Sequence, residues 1–256
     1  MLEGLYAGAL EDAKNRAELV SVEQLEKIIE SLTPALDGLK AFAPRDHVHV
    51  LAEVKRASPS RGDLAEIADP VALAKTYEAA GASGISVLTE QRRFKGSLED
   101  LTSVRAEVAI PLLRKDFIAN EYQLLEARAF GADIFLLIVA GLNQLDLKRL
   151  KAFGERLGMT AFVETHDEEE LLRALEADAK LVGVNARDLS TFETDRNLFE
   201  TLVHHIPAGV IKVAESAVRN FEDVKHYRRA GADVVLVGEA LVTGDPKALL
   251  TEFLSV

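Results

Sequence analysis

The chain has no cysteine among its 256 residues. That excludes thiol nucleophiles, zinc–thiolate centres and disulfides, and it fits a reducing cytoplasm. Cations are also in deficit: 30 lysines and arginines face 42 acidic residues, a formal net charge of −12. No basic stripe offsets that surplus, which argues against a nucleic-acid partner. A small anionic ligand stays open, because it senses only the field of its own pocket. Long apolar runs are missing too. The longest, residues 134–142, is far too short to cross a bilayer. The first fifteen residues are acidic and amphipathic rather than basic and then apolar, so no signal peptide is expected. No two of the six histidines stand at a metal-binding spacing with a carboxylate, and no metal site is expected. The expectation is a soluble, cytoplasmic, monomeric protein with neither a membrane nor a nucleic-acid partner.

What is present is a repeat. Ala80-Gly81-Ala82-Ser83, Phe130-Gly131-Ala132-Asp133 and Ala230-Gly231-Ala232-Asp233 each join a helical pattern to an apolar run. Gly131 lies 50 residues after Gly81, and Gly231 lies 100 after Gly131. A glycine just past a helix end supplies the left-handed residue that turns the chain into a strand. Its recurrence at multiples of one interval means that one helix-to-strand unit is reused. Half of the shorter interval, roughly 25 residues, suits one βα unit of a closed parallel barrel.

Candidate strands fall at 48–54, 84–88, 111–114, 134–139, 160–163, 181–184, 210–214 and 234–237. They are short and rich in valine, isoleucine and leucine, as strands buried on both faces should be. Helical registers lie between them, with starts at Asp69-Pro70, Asn143 and Asp245-Pro246. Eight such alternations make a (β/α)8 TIM barrel. With 48% hydrophobic residues and no linker-like stretch, residues 1–256 read as one domain. The competing open doubly wound sheet needs a glycine-rich turn after its first strand. The turn here is Arg56-Ala57-Ser58-Pro59-Ser60-Arg61-Gly62, which is not one. Residues 1–46 form an N-terminal helical extension ahead of a barrel spanning 47–256. The extension could plug the barrel bottom or serve as a lid near the catalytic face.

In this fold the chemistry sits at the C-terminal ends of the strands. Six candidate strands end in polar residues there: Glu53 and Lys55, Arg114-Lys115-Asp116, Glu164-Thr165-His166, Asn185-Ala186-Arg187-Asp188, Glu215-Ser216 and Gly238-Glu239. One charged strand end is often only where the chain meets water. Six at one rim are harder to explain that way, and Glu53 lies inside its strand, one pleat from Lys55. Buried carboxylates and lysines need each other, since unpaired burial costs several kcal/mol. Such a cluster is expected to move pKa values toward those useful for acid–base chemistry on a small anionic substrate.

The last two strands carry a phosphate signal. Backbone amides at Ser216, Ala217, Gly238 and Glu239 occupy the usual phosphate cup of the fold, and 239–242 can form one helical turn facing the anion. Ala217 is expected at negative φ, because a left-handed alanine costs roughly 1–2 kcal/mol. The histidines carry less weight. His47 and His49 read as structural, His204-His205 as closing a helix, and His166, which follows Glu164, could approach the site or be a loop residue, the latter preferred.

At these residues the chain resembles the indole-3-glycerol-phosphate synthases. The stretch Glu53-Val54-Lys55-Arg56-Ala57-Ser58-Pro59-Ser60 is similar to that family's long signature after strand one. Leu113-Arg114-Lys115-Asp116-Phe117, Val163-Glu164-Thr165-His166, Gly183-Val184-Asn185-Ala186-Arg187-Asp188-Leu189 and Ala214-Glu215-Ser216 match further motifs in order. Val87-Leu88-Thr89-Glu90 and Phe94-Lys95-Gly96-Ser97 look like its second-strand loop. The resemblance implies conversion of 1-(2-carboxyphenylamino)-1-deoxyribulose 5-phosphate to indole-3-glycerol phosphate, with loss of CO2 and water and with no metal or organic cofactor. It further implies Lys115 as a general acid at the substrate carbonyl oxygen and Glu164 as the partner acid/base. Lys55 would bind the anionic substrate, sharing the acid role, and Glu53 would orient it. Ser58, Asn185, Arg187, Glu215 and Ser216 would contact substrate, and Ser216, Ala217, Gly238 and Glu239 its phosphate. Two departures stand out: Ala217 replaces a frequent glycine and Ala186 a frequent serine. Two other readings remain. A Schiff-base aldolase on the same barrel would use Lys115 as nucleophile, and a decayed barrel kept as a binding partner would have lost Lys55, Lys115 or Glu164. None is lost.

Overall fold

The computed structural model describes residues 2–59, 61–188, 191 and 193–256. Ser60 and Leu189 of the motifs above lie outside the described residues. Eight parallel strands close a barrel: β1 (His49–Val54), β2 (Gly84–Leu88), β3 (Leu112–Lys115), β4 (Ile134–Ile138), β5 (Thr160–Thr165), β6 (Leu181–Asn185), β7 (Ile211–Glu215) and β8 (Val234–Val237), with β8 paired back to β1. Each expected strand is present, with ends shifted by at most two residues. Short β-branched and aliphatic runs suit this geometry because both faces are buried, one by the barrel interior and one by the outer helices.

Three helices precede the barrel: α1 (Leu2–Ala17), α2 (Val22–Ser31) and α3 (Gly38–Ala41). Those that follow are α4 (Pro70–Ala79), α5 (Leu98–Arg105), α6 (Glu121–Ala129), α7 (Gln144–Arg156), α8 (Glu168–Glu176), α9 (Leu198–Leu202), α10 (Phe221–Ala230), the short α11 (Glu239–Thr243) and α12 (Pro246–Phe253). Their starts are set locally. Asp69, Asn143 and Asp245 each accept a backbone N–H from the first turn, as expected of capping residues. The junction residues Gly81, Gly131 and Gly231 have φ of 95°, 96° and 108°, the left-handed turn that their repeat implied. No described helix is long and apolar enough to cross a membrane.

Side chains fill the barrel in layers drawn from alternate strands. Leu51, Leu113, Phe162 and Val213, from the odd strands β1, β3, β5 and β7, are all buried. Two residues further along each of these strands, on the same face, stand Glu53, Lys115, Glu164 and Glu215. The layer nearest the C-terminal mouth is therefore charged.

The N-terminal extension does both things asked of it, with different parts. In α1, the Tyr6 hydroxyl donates to the Ile138 carbonyl at the end of β4 (3.4 Å), and its ring meets Phe117 edge-on. Glu11 and Asp12 of α1 hold Arg92 in the loop after β2. This helix therefore covers the rim at the C-terminal ends of the strands. By contrast, α3 sits under the opposite end, where the Gly38 N–H donates to Thr160 Oγ1 at the start of β5 (3.2 Å). Phe42 follows it, fully buried and directly against Gly84 at the start of β2. Between the two, α2 lies on α6, and Arg16 pairs with Glu126. We expect Phe42→Ala to lower unfolding free energy by about 3–5 kcal/mol, the usual cost of emptying a buried phenylalanine site. Urea denaturation checks this; a loss below about 1 kcal/mol would mean that neighbours close the barrel bottom without it.

Candidate active site

The charged layer is held together by its own pairs. Lys115 Nζ lies 2.8 Å from Glu164 Oε2 and 3.5 Å from Glu215 Oε2. Lys55, just past the end of β1, reaches back to Glu53 Oε1 at 2.7 Å, and the Ser86 hydroxyl of β2 donates to Glu53 Oε2 at 3.3 Å. Asn185 Nδ2 donates to Glu164 Oε1 at 3.0 Å. Asn185 Oδ1 accepts the Ser216 hydroxyl at 2.7 Å and the Arg187 N–H at 3.1 Å. Two glycines make the room. A Cβ on Gly238 would stand 2.5 Å from Glu53 Oε1, and one on Gly183 would stand 2.1 Å from Glu215 Oε1. A side chain at either position would push the carboxylate aside, so the placement of Glu53 and Glu215 depends on the missing Cβ atoms.

Proximity sets the protonation states. Burial alone would lower the Lys115 pKa, but Glu164, Glu215 and Glu53 outweigh it and hold the ammonium well above its usual range. Burial opposes ionisation of Glu164 as well, yet Lys115 and His166 keep its carboxyl far below the ordinary value. For Glu215, burial and the neighbouring Glu164 charge act together and push the carboxyl up to about 8. Its Oε1 is buried without a hydrogen-bond partner among the described residues. The expected move of pKa values toward those useful for acid–base chemistry therefore holds for Glu215 and is wrong for Lys115 and Glu164. The acidic side chains around Lys115, Glu164 foremost, stabilise its charge more than desolvation destabilises it.

The segments expected to form the phosphate cup lie beside this layer. Short α11 begins at Glu239, directly after Gly238, as expected. Backbone N–H groups of Ser216, Ala217, Gly238 and Glu239 find no backbone acceptor among the described residues outside their own elements. Arg61, from the loop after β1, forms an ion pair with Glu239, and that pairing holds the Glu239 carboxyl below its usual value. Half-buried Arg187 lies in the field of Glu239, Arg61 and Arg219, so positive charge gathers here in an acidic protein. Ser58 sits half-buried in the antiparallel turn formed by Ala57–Ser58 and Gly62–Asp63. A separate cavity of about 430 Å³ opens between α1 and the loops after β1 and β2, lined by Leu5, Gly8, Pro59, Glu90 and Arg93 among others. None of the four layer residues lines it.

The family model described as "Indole-3-glycerol phosphate synthase" matches residues 3–253. The chain belongs to the indole-3-glycerol phosphate synthase family. An indole-3-glycerol phosphate synthase of Leifsonia xyli subsp. xyli is 61% identical over all of this chain and 98% of that one. Indole-3-glycerol phosphate synthase 1 of Streptomyces coelicolor is 53% identical over all of this chain and 95% of its own length. Among solved structures, an N-acetylmannosamine-6-phosphate 2-epimerase from Clostridium perfringens superposes with a TM-score of 0.63 at 14% identity, covering 87% of this chain and 98% of that one. A thiamine phosphate pyrophosphorylase from Pyrococcus furiosus gives 0.62 at 13% identity, covering 80% and 93%. Those two likenesses concern the barrel fold alone.

Two sequence expectations need correction. Ala217 has φ of 57° and Ser216 of 66°, so both are left-handed where negative φ was expected for Ala217. Tertiary contacts outweigh the local cost: the Ser216 hydroxyl is fixed on Asn185, and its carbonyl accepts from the Tyr227 hydroxyl at 3.4 Å. Successive residues turned in this way aim their N–H groups into one concavity, a shape suited to an anion. His166 is not a plain loop residue either, since its ring lies between Glu164 and Glu170. Sequence reasoning also passed over Tyr6, Arg61, Ser86 and Arg219, whose relevance depends on which loops meet. Replacing Ala217 with glycine should relieve left-handed strain of roughly 1–2 kcal/mol, partly offset by a freer unfolded chain. We expect a net gain of roughly 0.5–1 kcal/mol in unfolding free energy. A loss on denaturation would show that Ala217 is unstrained.

Proposed function

We propose that the chain converts 1-(2-carboxyphenylamino)-1-deoxyribulose 5-phosphate to indole-3-glycerol phosphate, as a carboxy-lyase of tryptophan biosynthesis. The observation that carries this reading is the contact of Lys115 with Glu164 and Glu215 in one buried layer, in a chain of this family. Ring closure joins the aromatic carbon bearing the carboxylate to the substrate ketone carbon. As that bond forms, the ketone oxygen becomes an alkoxide. Lys115, protonated throughout the working range, donates to it; an alkoxide is basic enough to take a proton even from so weak an acid. Carbon dioxide then departs with its bonding electrons left in the ring, which regains aromaticity without a base. Lys115, reprotonated from solvent, gives a second proton to the hydroxyl, which leaves as water, while Glu164 accepts the proton whose loss completes the indole.

The other residues bind. Lys55, oriented by Glu53, faces the substrate carboxylate. Glu215, kept neutral, offers a proton to a substrate oxygen where a second carboxylate would repel it. Asn185 and Ser58 position the anthranilate end, with Arg187 nearby. The phosphate is held by N–H groups at Ser216, Ala217, Gly238 and Glu239. This route uses neither metal nor organic cofactor, and we assign the enzyme to the cytoplasm as a monomer built on one domain of residues 1–256. The aldolase alternative is less well supported. A Schiff-base lysine must spend time as a free amine, and the carboxylates around Lys115 oppose that.

Lys115→Ala should lower kcat by about 10²-fold or more, the general-acid range, while KM moves much less. Fluorescence-monitored formation of indole-3-glycerol phosphate measures both. Near-wild-type turnover in that variant would transfer the acid role to Lys55. No product from the wild type would end the assignment.

A further inference from the structure

One charged group beside the layer has no part in the reaction as drawn. The loop after β5 begins at His166, whose side chain is only 11% exposed. Its Nδ1 lies 2.9 Å from Glu170 Oε2, and the same oxygen accepts the His166 backbone N–H at 2.9 Å. Glu170, in the first turn of α8, thereby grips both the ring and the main chain. On the other side, Nε2 stands 3.2 Å from Glu164 Oε1, at an angle too poor for a regular hydrogen bond. A neutral imidazole has one lone pair, and here that lone pair would face a carboxylate whichever tautomer formed. Two flanking carboxylates in a buried site therefore demand the imidazolium.

We propose that His166 is a positioning residue, anchored by Glu170, that keeps Glu164 ionised and confines proton exchange to Glu164 Oε2. Oε1 is occupied by Asn185 and His166, whereas Oε2 faces Lys115. When Lys115 gives up its proton, Glu164 loses its principal cation. His166 supplies a second, fixed one at that moment, so Glu164 stays available as the base for the dehydration step. The charged groups around the imidazolium are Glu164 from β5, Glu170 from α8 and Lys115 from β3, while Glu215 from β7, titratable at longer range, is held toward its neutral form. The Tyr6 phenol of α1 also feels Glu164, but burial keeps it un-ionised, so it adds no charge. This assignment rests on the function proposed above.

The sign of the pH effect follows directly. Removing a cation beside Glu164 raises its pKa, so the base form is lost at higher pH. In His166→Gln, kcat should fall with KM near wild type, and the acid limb of the kcat profile should move up by about one pH unit or more. Glu170→Gln, which leaves the ring in place but weakens its hold on a second proton, should give a smaller shift in the same direction. Profiles of both variants that superimpose on wild type would overturn the proposal, as would a loss confined to KM. Imidazole 15N NMR of the wild-type protein supplies a readout independent of turnover and of variant folding, with the resonance assigned through histidine substitution. The His166 ring should remain doubly protonated until pH approaches about 10. Titration near the ordinary value of about 6.5 would sink the idea. If the wild type forms no product, the proposed function fails, while the NMR titration still decides whether this imidazolium exists.

Discussion

Burying four ionisable side chains in one layer of a packed barrel is possible only if they neutralise one another. An isolated carboxylate or ammonium moved from water to such a site costs several kcal/mol even after relaxation. Glu53, Lys115, Glu164 and Glu215 meet this constraint jointly. Lys115 sits between Glu164 and Glu215, Lys55 answers Glu53 from outside the layer, and Glu215 is pushed toward its neutral form. Much of the surrounding structure exists to make that balance feasible. Gly183 and Gly238 vacate the space that the carboxylates fill. Ser86 and Asn185 supply neutral donors where a further cation would not fit.

The layer beneath sets the geometry. Leu51, Leu113, Phe162 and Val213 form a dry floor from the same four strands, so the charged groups above cannot sink or be hydrated from below. Because side chains alternate along a strand, register places both layers at once: a slip of one residue would turn the charges outward and the outer-face residues in. Arg114 illustrates the other face of β3. It is fully buried between barrel and helix and satisfied by Asp116, Thr89, Glu126 and the Gln123 carbonyl. Adjacent residues, Arg114 and Lys115, thus do unrelated work. One fastens α6 to the barrel, and the other joins the charged layer inside it.

Coverage of the mouth is assembled from distant segments. Tyr6 arrives from α1, Arg61 from the loop after β1, and Arg92 ties that helix to the loop after β2. The Arg61–Glu239 pair joins the first strand's loop to the segment that follows the eighth. That contact spans 178 residues of sequence but only one gap in the closed barrel, since β8 lies beside β1.

The sequence by itself determined the repeat, the strands and the rim. Junction glycines at a fixed interval, short aliphatic runs and capped helix starts are local properties, and each follows from backbone conformation or from burial on both faces of a strand. The charged strand ends were legible for the same reason: Glu53 inside an apolar run has no local explanation. Protonation states were not legible, because they depend on how many carboxylates surround one lysine, a number set by neighbours such as Glu164 and Glu215 that lie 49 and 100 residues beyond Lys115. The left-handed turn at Ser216 and Ala217 was hidden as well. Local preference argued against it, and contacts to Asn185 and Tyr227 override that preference. His166 was read as a loop residue, and only the tertiary structure decided that its ring stands between two carboxylates. Local conformation is written in short stretches of chain; electrostatics in a closed barrel is written by whichever strands the closure brings face to face.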